Sequence, residues 1–164
     1  MESLKGKPTI ILILLSIVGI LHVLIPAWGI IIPDIGASFY WYWGFYFAGS
    51  GGDTDSGTIS DQAILTAGTT AMFLMFIGFG IFLITIILAR ALKASETDKL
   101  LTVFSIIWII VGILLVIAPS IYLYSVKDVI FDKYSWGIGL YFSYGLGIVP
   151  LLLGIGFLVA SLKK

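Results

Sequence analysis

The stretch AILTAGTTAMFLMFIGFGIFLITIILA, residues 63–89, decides the fold of this chain, because 27 residues pass without one charged side chain. A helix needs about 20 apolar residues to cross a hydrocarbon core that is about 30 Å thick. Three further runs have comparable length and are likewise uncharged: Thr9–Ala27, Leu101–Tyr122 and Trp136–Leu162. The sequence therefore predicts an all-α membrane protein that forms one domain with four transmembrane helices.

The segments between these runs complete the predicted topology. They are a long outer loop at 28–62, a cytoplasmic loop at 90–100 and a shorter outer loop at 123–135. The composition agrees, since 60% of the residues are hydrophobic and 11% are charged. A soluble domain with this composition would have too little polar surface to cover itself. The expected environment is the lipid bilayer.

The distribution of basic residues predicts the orientation in the membrane. Seven of the nine lie before the first run, between the second and third, or after the fourth: Lys5, Lys7, Arg90, Lys93, Lys99, Lys163 and Lys164. In a chain with four spans these three places share one side, and an excess of Lys and Arg marks that side as cytoplasmic. We therefore expect a multi-pass protein of the cell membrane with both termini in the cytoplasm.

The predicted outer segments carry mostly negative charge. Their charged residues are six aspartates and two lysines: Asp34, Asp53, Asp55, Asp61, Asp128, Asp132, Lys127 and Lys133. An acidic outer face repels polyanions, so nucleic acid is not an expected partner.

Several kinds of chemistry are disfavoured by what the sequence contains. There is no cysteine, which excludes disulfides and thiolate metal sites, and His22 is the only histidine. The middles of the spans hold no Asp, Glu, Lys or Arg, whereas ion-coupled transport normally needs an ionisable group there. No His-based or paired-carboxylate constellation lies near a serine in the sequence, so we expect no enzyme, no cofactor, no metal site and no small-molecule substrate.

His22 has two alternative interpretations. It stands inside the first run, four residues before Pro26. The favoured form is a neutral imidazole that packs between helices or bonds a backbone carbonyl that Pro26 leaves free. The other is a contact with a partner or ligand.

An aromatic segment, residues 37–48, lies in the first outer loop with the sequence Ala-Ser-Phe-Tyr-Trp-Tyr-Trp-Gly-Phe-Tyr-Phe-Ala. Aromatic residues with a period of two are typical of a strand. We predict one strand with a dry face and a face of tyrosines available for contacts. The dry face holds Phe39, Trp41, Trp43, Phe45 and Phe47, and the other holds Tyr40, Tyr42, Gly44 and Tyr46. The alternative is an interfacial aromatic belt without regular structure.

A polar stretch, Gly49–Gly57, follows and is predicted to be a flexible turn region. Its Asp53 and Asp55 resemble the start of a calcium-binding loop. However, Gly57 comes one position early and Ile64 stands where a bidentate glutamate is required. A solvated turn is therefore favoured over a calcium site.

Small residues on the fourth run predict close helix packing. Gly139, Ser143 and Gly147 recur at intervals of four and so share one helix face. Packing within the chain is the favoured interpretation, and a lateral contact with another membrane protein is the alternative.

These features together resemble the claudin family and its wider peripheral myelin protein 22 group. The resembling elements are Pro26-Ala27-Trp28 after the first run, Gly44-Phe45-Tyr46 in the outer strand, Ile117-Ala118-Pro119-Ser120 ending the third run, and Gly137-Ile138-Gly139-Leu140-Tyr141 opening the fourth. The longer loop between the first two runs is also similar. The chain departs from claudins because it lacks their paired cysteines and has Gly-Phe-Tyr where they have Gly-Leu-Trp.

The resemblance implies a claudin-like four-helix bundle with a small extracellular β-sheet. It also implies a non-catalytic structural role, in which the protein assembles laterally with itself or with other integral membrane proteins. The alternative function is an accessory subunit that stabilises or modulates a larger membrane enzyme, transporter or channel. The residues expected to carry the interaction or its framework are Trp28, Tyr40, Trp41, Tyr42, Trp43, Gly44, Phe45, Tyr46, Gly139, Ser143 and Gly147.

Overall fold

The structure is a computed structural model that describes residues 7–32, 34–91, 94–130 and 135–162. The helices are α1 (Lys7–Leu21), α2 (Gln62–Ala91), α3 (Ala94–Ile130) and α4 (Ile138–Leu162). The strands are β1 (Trp28–Ile32), β2 (Gly36–Tyr40), β3 (Phe45–Ser50), β4 (Asp53–Thr58) and β5 (Ser135–Trp136). The prediction of a mainly helical chain with four helices and a small sheet is confirmed.

Three of the helices are long and apolar enough to cross a membrane. The candidate spans are Gln62–Ala91, Leu100–Lys127 and Ile138–Leu162. The remaining apolar helical segment, Thr9–Leu24, consists of most of α1 and a short 3-10 turn at His22–Leu24. At a rise of about 1.5 Å per residue it is about 24 Å long, which is less than the ~30 Å hydrocarbon core.

In the first apolar run, the helix ends earlier than the sequence predicted. Ile25 has extended backbone angles, with φ −82° and ψ 140°, and Pro26 follows it. The ring of a proline clashes with the preceding residue in a helical conformation, so the residue before it is pushed towards the extended region. The predicted extension of the helix to Ala27 is therefore wrong, and the chain enters β1 directly.

The third helix is longer than its apolar run. α3 extends at both ends into the predicted loops 90–100 and 123–135, because polar residues can continue a helix once its hydrogen bonds are established. The fourth helix begins at Ile138, and Trp136 belongs to β5. Residues 92–93 and 131–134 of these predicted loops lie outside the described residues.

The bundle is organised around α3. This helix packs against α2 on one side and α4 on the other, and α1 packs mainly against α2. Trp108 lies at the centre and donates from Nε1 to Thr85 Oγ1 over 2.7 Å. The outward faces of the helices are apolar and exposed, for example at Ile84, Ile110 and Leu152. Such faces are suited to contact with lipid chains.

The five strands form an antiparallel sheet in the order β4-β3-β2-β1-β5. The first four strands form a meander between α1 and α2, and β5, which precedes α4, pairs with β1. The chain connects the sheet to the helices before β1, after β4 and on both sides of β5, so the sheet is attached to the bundle at several points.

The prediction of one continuous strand across residues 37–48 is wrong. The chain reverses at Trp41–Gly44, so the aromatic segment forms the hairpin β2–β3. The Trp41 N–H donates to the Phe45 carbonyl over 3.0 Å, and the Gly44 N–H donates to the Trp41 carbonyl over 3.1 Å. Gly44 adopts φ +83°, which residues with a Cβ rarely tolerate, and this permits the reversal.

The predicted turn region at Gly49–Gly57 is also shorter than expected. The turn itself is confined to Gly51 and Gly52, both with positive φ, and the residues after it form β4. Asp, Ser and Gly have low strand propensity, but β4 is fully paired with β3 from Asp53 to Thr58. Cross-strand hydrogen bonding overrides the local preference here.

Candidate functional site: an acidic trough and the polar junction beneath it

Three buried polar side chains join the sheet to the bundle, and we call them the polar junction: His22, Tyr42 and Ser143. Ser143 Oγ lies 2.8 Å from His22 Nε2 and 2.9 Å from Tyr42 Oη. It also lies 2.7 Å from the carbonyl oxygen of Gly139 in its own helix. The junction thus links the 3-10 turn after α1, the β2–β3 turn and α4 at one point.

Proton positions in the polar junction follow from its partners. His22 Nδ1 contacts the Gly19 carbonyl, which can only accept, so this nitrogen carries the hydrogen. In a neutral imidazole Nε2 is then an acceptor, and the single hydroxyl hydrogen of Ser143 is shared between Nε2 and the Gly139 carbonyl oxygen. Burial raises the pKa of Tyr42, so its hydroxyl remains protonated and donates to Ser143. All three side chains are satisfied in this arrangement.

The contact between this histidine and this serine was not predicted from the sequence. His22 and Ser143 are 121 positions apart, and only the tertiary structure brings them together. The geometry is that of a nucleophile and its base, yet neither side chain is more than 2% exposed. A substrate has no access to such a pair in this conformation. We therefore assign the polar junction a positioning role. The favoured interpretation of His22 was a bond to a backbone carbonyl that Pro26 leaves free; His22 does bond a backbone carbonyl, but it is that of Gly19.

The predicted faces of the aromatic segment are reversed at the turn. Tyr42, expected to be available for contacts, is 0% exposed, whereas Trp43, expected on the dry face, is 44% exposed. The alternation of side chains holds within a strand and is lost where the backbone reverses. Tyr42 therefore points into the bundle, where its ring packs 5.0 Å from that of Tyr122.

A ladder of aromatic rings crosses one face of the sheet and consists of Trp28, Tyr40 and Tyr46. Trp28 stacks on Tyr40 with 4.0 Å between the ring centroids, and Tyr40 stacks on Tyr46 with 6.2 Å. Trp28 is buried and donates from Nε1 to Tyr122 Oη over 3.2 Å. At the far end Tyr46 Oη donates to Asp55 Oδ2 over 2.8 Å, which raises the pKa of Tyr46.

A second aromatic group forms at the hairpin turn from Trp41, Trp43 and Phe45. Trp43 stacks on Phe45 at 5.3 Å, and Trp41 lies 5.4 Å from Phe45. Trp41 Nε1 donates to the Leu24 carbonyl over 2.8 Å, which ties this group to the end of the first helical segment. Trp41 and Phe45 thus contribute to the framework of the turn, and Trp43 presents its surface outward.

The small residues of α4 are occupied by the chain's own backbone. A Cβ at Gly139 would overlap the Pro26 carbonyl oxygen, and one at Gly147 would meet the Leu115 backbone at 3.0 Å. The first contact is with the connection to β1 and the second is with α3. The face predicted from these residues therefore packs within the chain, with Ser143 at its centre as a hydrogen-bonding group.

An open trough of about 290 Å³ lies on the ladder face of the sheet, beyond the aromatic rings. One wall is apolar and the opposite side is acidic, while small residues form the floor between them. The lining residues are Ile30, Ile32, Ile35, Gly36, Ala37, Ser38, Ala48, Gly49, Ser50, Asp53, Thr54 and Asp55. Asp53 and Asp55 were assigned to a turn from the sequence, so this site was not predicted.

The trough has no counter-charge in its own part of the sequence. Residues 28–62 contain four aspartates and no Lys, Arg or His. Within the described part of the chain, no group of three or more His, Cys, Asp or Glu side chains lies together as a metal site. Asp53 and Asp55 are in any case strand residues and do not form the loop that a calcium site of the resembling type requires.

Removing the hydroxyl at the centre of the polar junction should destabilise the protein. We expect Ser143→Ala to lower the free energy of unfolding by about 2 kcal/mol, because His22 and Tyr42 each lose a side-chain hydrogen-bond partner while still buried. The melting temperature in detergent measures this. Ser125→Ala is the matched control, since that serine bonds only a carbonyl of its own helix, and an equal loss in both variants would contradict the assigned role.

No protein-family model matches the chain, and no curated protein matches it.

Proposed function

We propose that this protein is a non-catalytic integral membrane protein with a claudin-like fold that binds another membrane-associated protein through its sheet. The helical bundle serves as the anchor, and the sheet is the presenting surface. Support for the likeness to claudins comes from the four helices and from the sheet inserted between the first two of them.

This proposal rests on one observation: several predicted interaction residues already make contacts within the chain, whereas one surface of the sheet is left open. Tyr42, Ser143, Gly139 and Gly147 are all occupied within the chain, as is Trp28. The trough and β4 are left open on the same sheet that those contacts hold in place. A rigidly mounted surface with unfilled space is the form expected of a preorganised binding site, because less freedom is lost when a partner binds.

A second candidate is the accessory subunit of a larger membrane complex, and the charge of the sheet favours it. Two copies that met through their sheets would bring Asp53 and Asp55 towards the same residues of the other copy. Like charges placed opposite each other across strands destabilise the contact. The proposed partner is therefore a different protein, while self-association would use the exposed helix faces.

We also propose that Thr9–Leu24 serves as a fourth span, so that both termini are cytoplasmic and the sheet lies outside the cell membrane. The chain lacks cysteine, so single cysteines introduced at Ser3, Ser50 and Ser95 can test this. Positions 3 and 50 flank Thr9–Leu24, and positions 50 and 95 flank α2. We expect an impermeant maleimide to label intact cells at position 50 and to label positions 3 and 95 only after permeabilisation. Labelling of intact cells at 3 and 95 but not at 50 would reverse the orientation, and labelling at both 3 and 50 would show that Thr9–Leu24 does not cross the membrane.

Photo-crosslinking tests the binding function in living cells. A benzophenone amino acid is placed at Ser56, which is exposed on β4, or at Leu152, which is exposed on α4. We expect position 56 to give one discrete hetero-adduct and position 152 to give mainly lipid adducts. Protein adducts from position 152 alone would move the interaction to the helices, and a homo-dimer from position 56 would overturn the hetero-partner proposal.

A further inference from the structure

We infer that the trough, together with the free edge of β4, binds an extended segment of the partner protein that carries two Lys or Arg residues two positions apart. This inference rests on the proposed function and specifies the chemistry of the partner. The binding site is the acidic side of the trough, which is formed by Asp53 and Asp55.

The register of the sheet places residues that line the trough in two rows, each of which runs across the strands. The row nearer the aromatic ladder is Ile30, Ser38, Ala48 and Asp55, and the outer row is Ile32, Gly36, Ser50 and Asp53. In each row an isoleucine on β1 stands at one end and an aspartate on β4 at the other, with small side chains between them. The two carboxylates thus lie on one face, two residues apart along β4, because strand side chains repeat with a period of two.

The carboxylates retain most of their capacity to accept hydrogen bonds. An ionised carboxylate has about four acceptor positions, and Asp55 uses one of them for the Tyr46 hydroxyl. That bond also orients the Asp55 side chain before a partner arrives. The nearby Ser50 hydroxyl is already committed to the Ile35 carbonyl over 2.7 Å, so it does not neutralise either aspartate. Residues 28–62 contain no Lys, Arg or His, so a charged donor for the remaining positions must come from outside this part of the chain.

The shape of the trough favours long basic side chains over small cations. Lys and Arg have an apolar stem that ends in a charged group. The stem can be buried on apolar surface while the charged group remains paired with a carboxylate. The part of the floor nearest the aspartates, at Ala48 on β3, supplies that surface, whereas Ile30 and Ile32 stand on β1, three strands or roughly 14 Å from β4. The volume of about 290 Å³ is at the lower limit of small-molecule pockets, which suits side chains from a segment more than a whole ligand.

The edge of the sheet supplies the backbone half of the site. β4 is the terminal strand, and within the described part of the chain it pairs only with β3. Its sequence, Asp-Thr-Asp-Ser-Gly-Thr, has none of the lysines or prolines that protect edge strands. An added strand would place alternate side chains on the trough face, about 5 Å from those of β4. Two basic residues two positions apart would then stand beside Asp53 and Asp55.

The experiment measures peptide binding to the full-length protein in lipid nanodiscs by fluorescence polarisation. The probe is a labelled hexapeptide, Thr-Lys-Val-Lys-Thr-Thr, and the matched peptide has Glu in place of both Lys residues. Spermidine serves as the free polyamine, to separate a strand-borne cation from a soluble one. The variants are Asp53→Asn with Asp55→Asn, and Asp34→Asn as control. Asp34 lies in the β1–β2 turn at φ +62°, which asparagine also tolerates.

We expect the Lys peptide to bind and the Glu peptide not to bind. The double variant should weaken binding roughly tenfold, in line with two partly exposed ion pairs, while Asp34→Asn leaves it unchanged. High salt should weaken the wild-type interaction. Equal binding by the double variant, or spermidine binding as tightly as the peptide and displacing it, would overturn the inference, as would no binding at all.

The crosslinking and peptide experiments distinguish a failure of the proposed function from a failure of the basic-segment inference. If the crosslink from position 56 to a partner persists unchanged in the double variant, the sheet binds its partner but the basic segment is wrong. If position 56 yields no hetero-adduct in cells, the proposed function itself is wrong, whatever the peptide does.

Discussion

Tyr42→Ala should lower the free energy of unfolding by about 4 kcal/mol, the typical cost of truncating a fully buried aromatic side chain. The ring centroid lies 5.0 Å from that of Tyr122 and 6.4 Å from that of His22. Rings that are themselves buried can move only partly into the cavity that the substitution leaves. The same change also leaves Ser143 with one hydrogen-bond donor fewer.

Two companion variants separate the causes of this effect. Tyr42→Phe keeps the ring and removes only the hydroxyl, so we expect a loss of about 1–2 kcal/mol. Trp43→Ala removes a larger side chain from the neighbouring position, yet we expect a loss within about 1 kcal/mol because Trp43 is half exposed. Chemical unfolding in detergent measures all three. A larger loss for Trp43→Ala than for Tyr42→Ala would restore the two faces predicted from the sequence.

Gly147→Leu should have the second large effect and should prevent formation of a stable bundle. A Cβ at this position meets the Cβ, carbonyl carbon and carbonyl oxygen of Leu115 at 3.0–3.1 Å, so the larger side chain must push α3 and α4 apart. Attraction between helices in lipid depends on such close contact, because the hydrophobic effect does not act between helices there. We expect little folded monomer to be recovered in detergent.

Gly156→Leu is the matched control on the same helix. No atom lies within 4 Å of a Cβ built at Gly156, so the added side chain extends into open space. The yield of monomer and its melting temperature should stay close to those of the unmodified protein. If Gly147→Leu gives a normal monomer that has lost only higher-order species, this face of α4 is an interface between chains and does not hold the bundle together.

The sequence by itself determined the helices and the existence of the sheet. The three apolar runs that are long enough to cross a membrane were expected to be helical, since hydrocarbon offers no partner for a free backbone N–H or C=O. The alternation of aromatic residues likewise indicated strand structure for Phe39 and Tyr40 and for Phe45 and Phe47, which lie in β2 and β3. These features depend on local periodicity and hydropathy, which are properties of a short window of sequence.

The reversal at Trp41–Gly44 was decided by the tertiary structure. The aromatic alternation continues through the turn, so the period of two gives no sign that the strand stops. Gly44 was the one local signal, because a glycine inside a strand pattern often marks a bend. What makes the bend favourable is the space for Tyr42 beside Tyr122 and Ser143, which come from two other helices.

The polar junction and the trough also required the fold. His22 and Ser143 meet across 121 positions, and Asp53 and Asp55 become one side of a trough only when β4 pairs with β3 and the register aligns them with Ile30 and Ile32. Periodicity shows which side chains share a face of one element. Which elements face each other depends on packing between distant segments, and no pattern within a single segment contains that information.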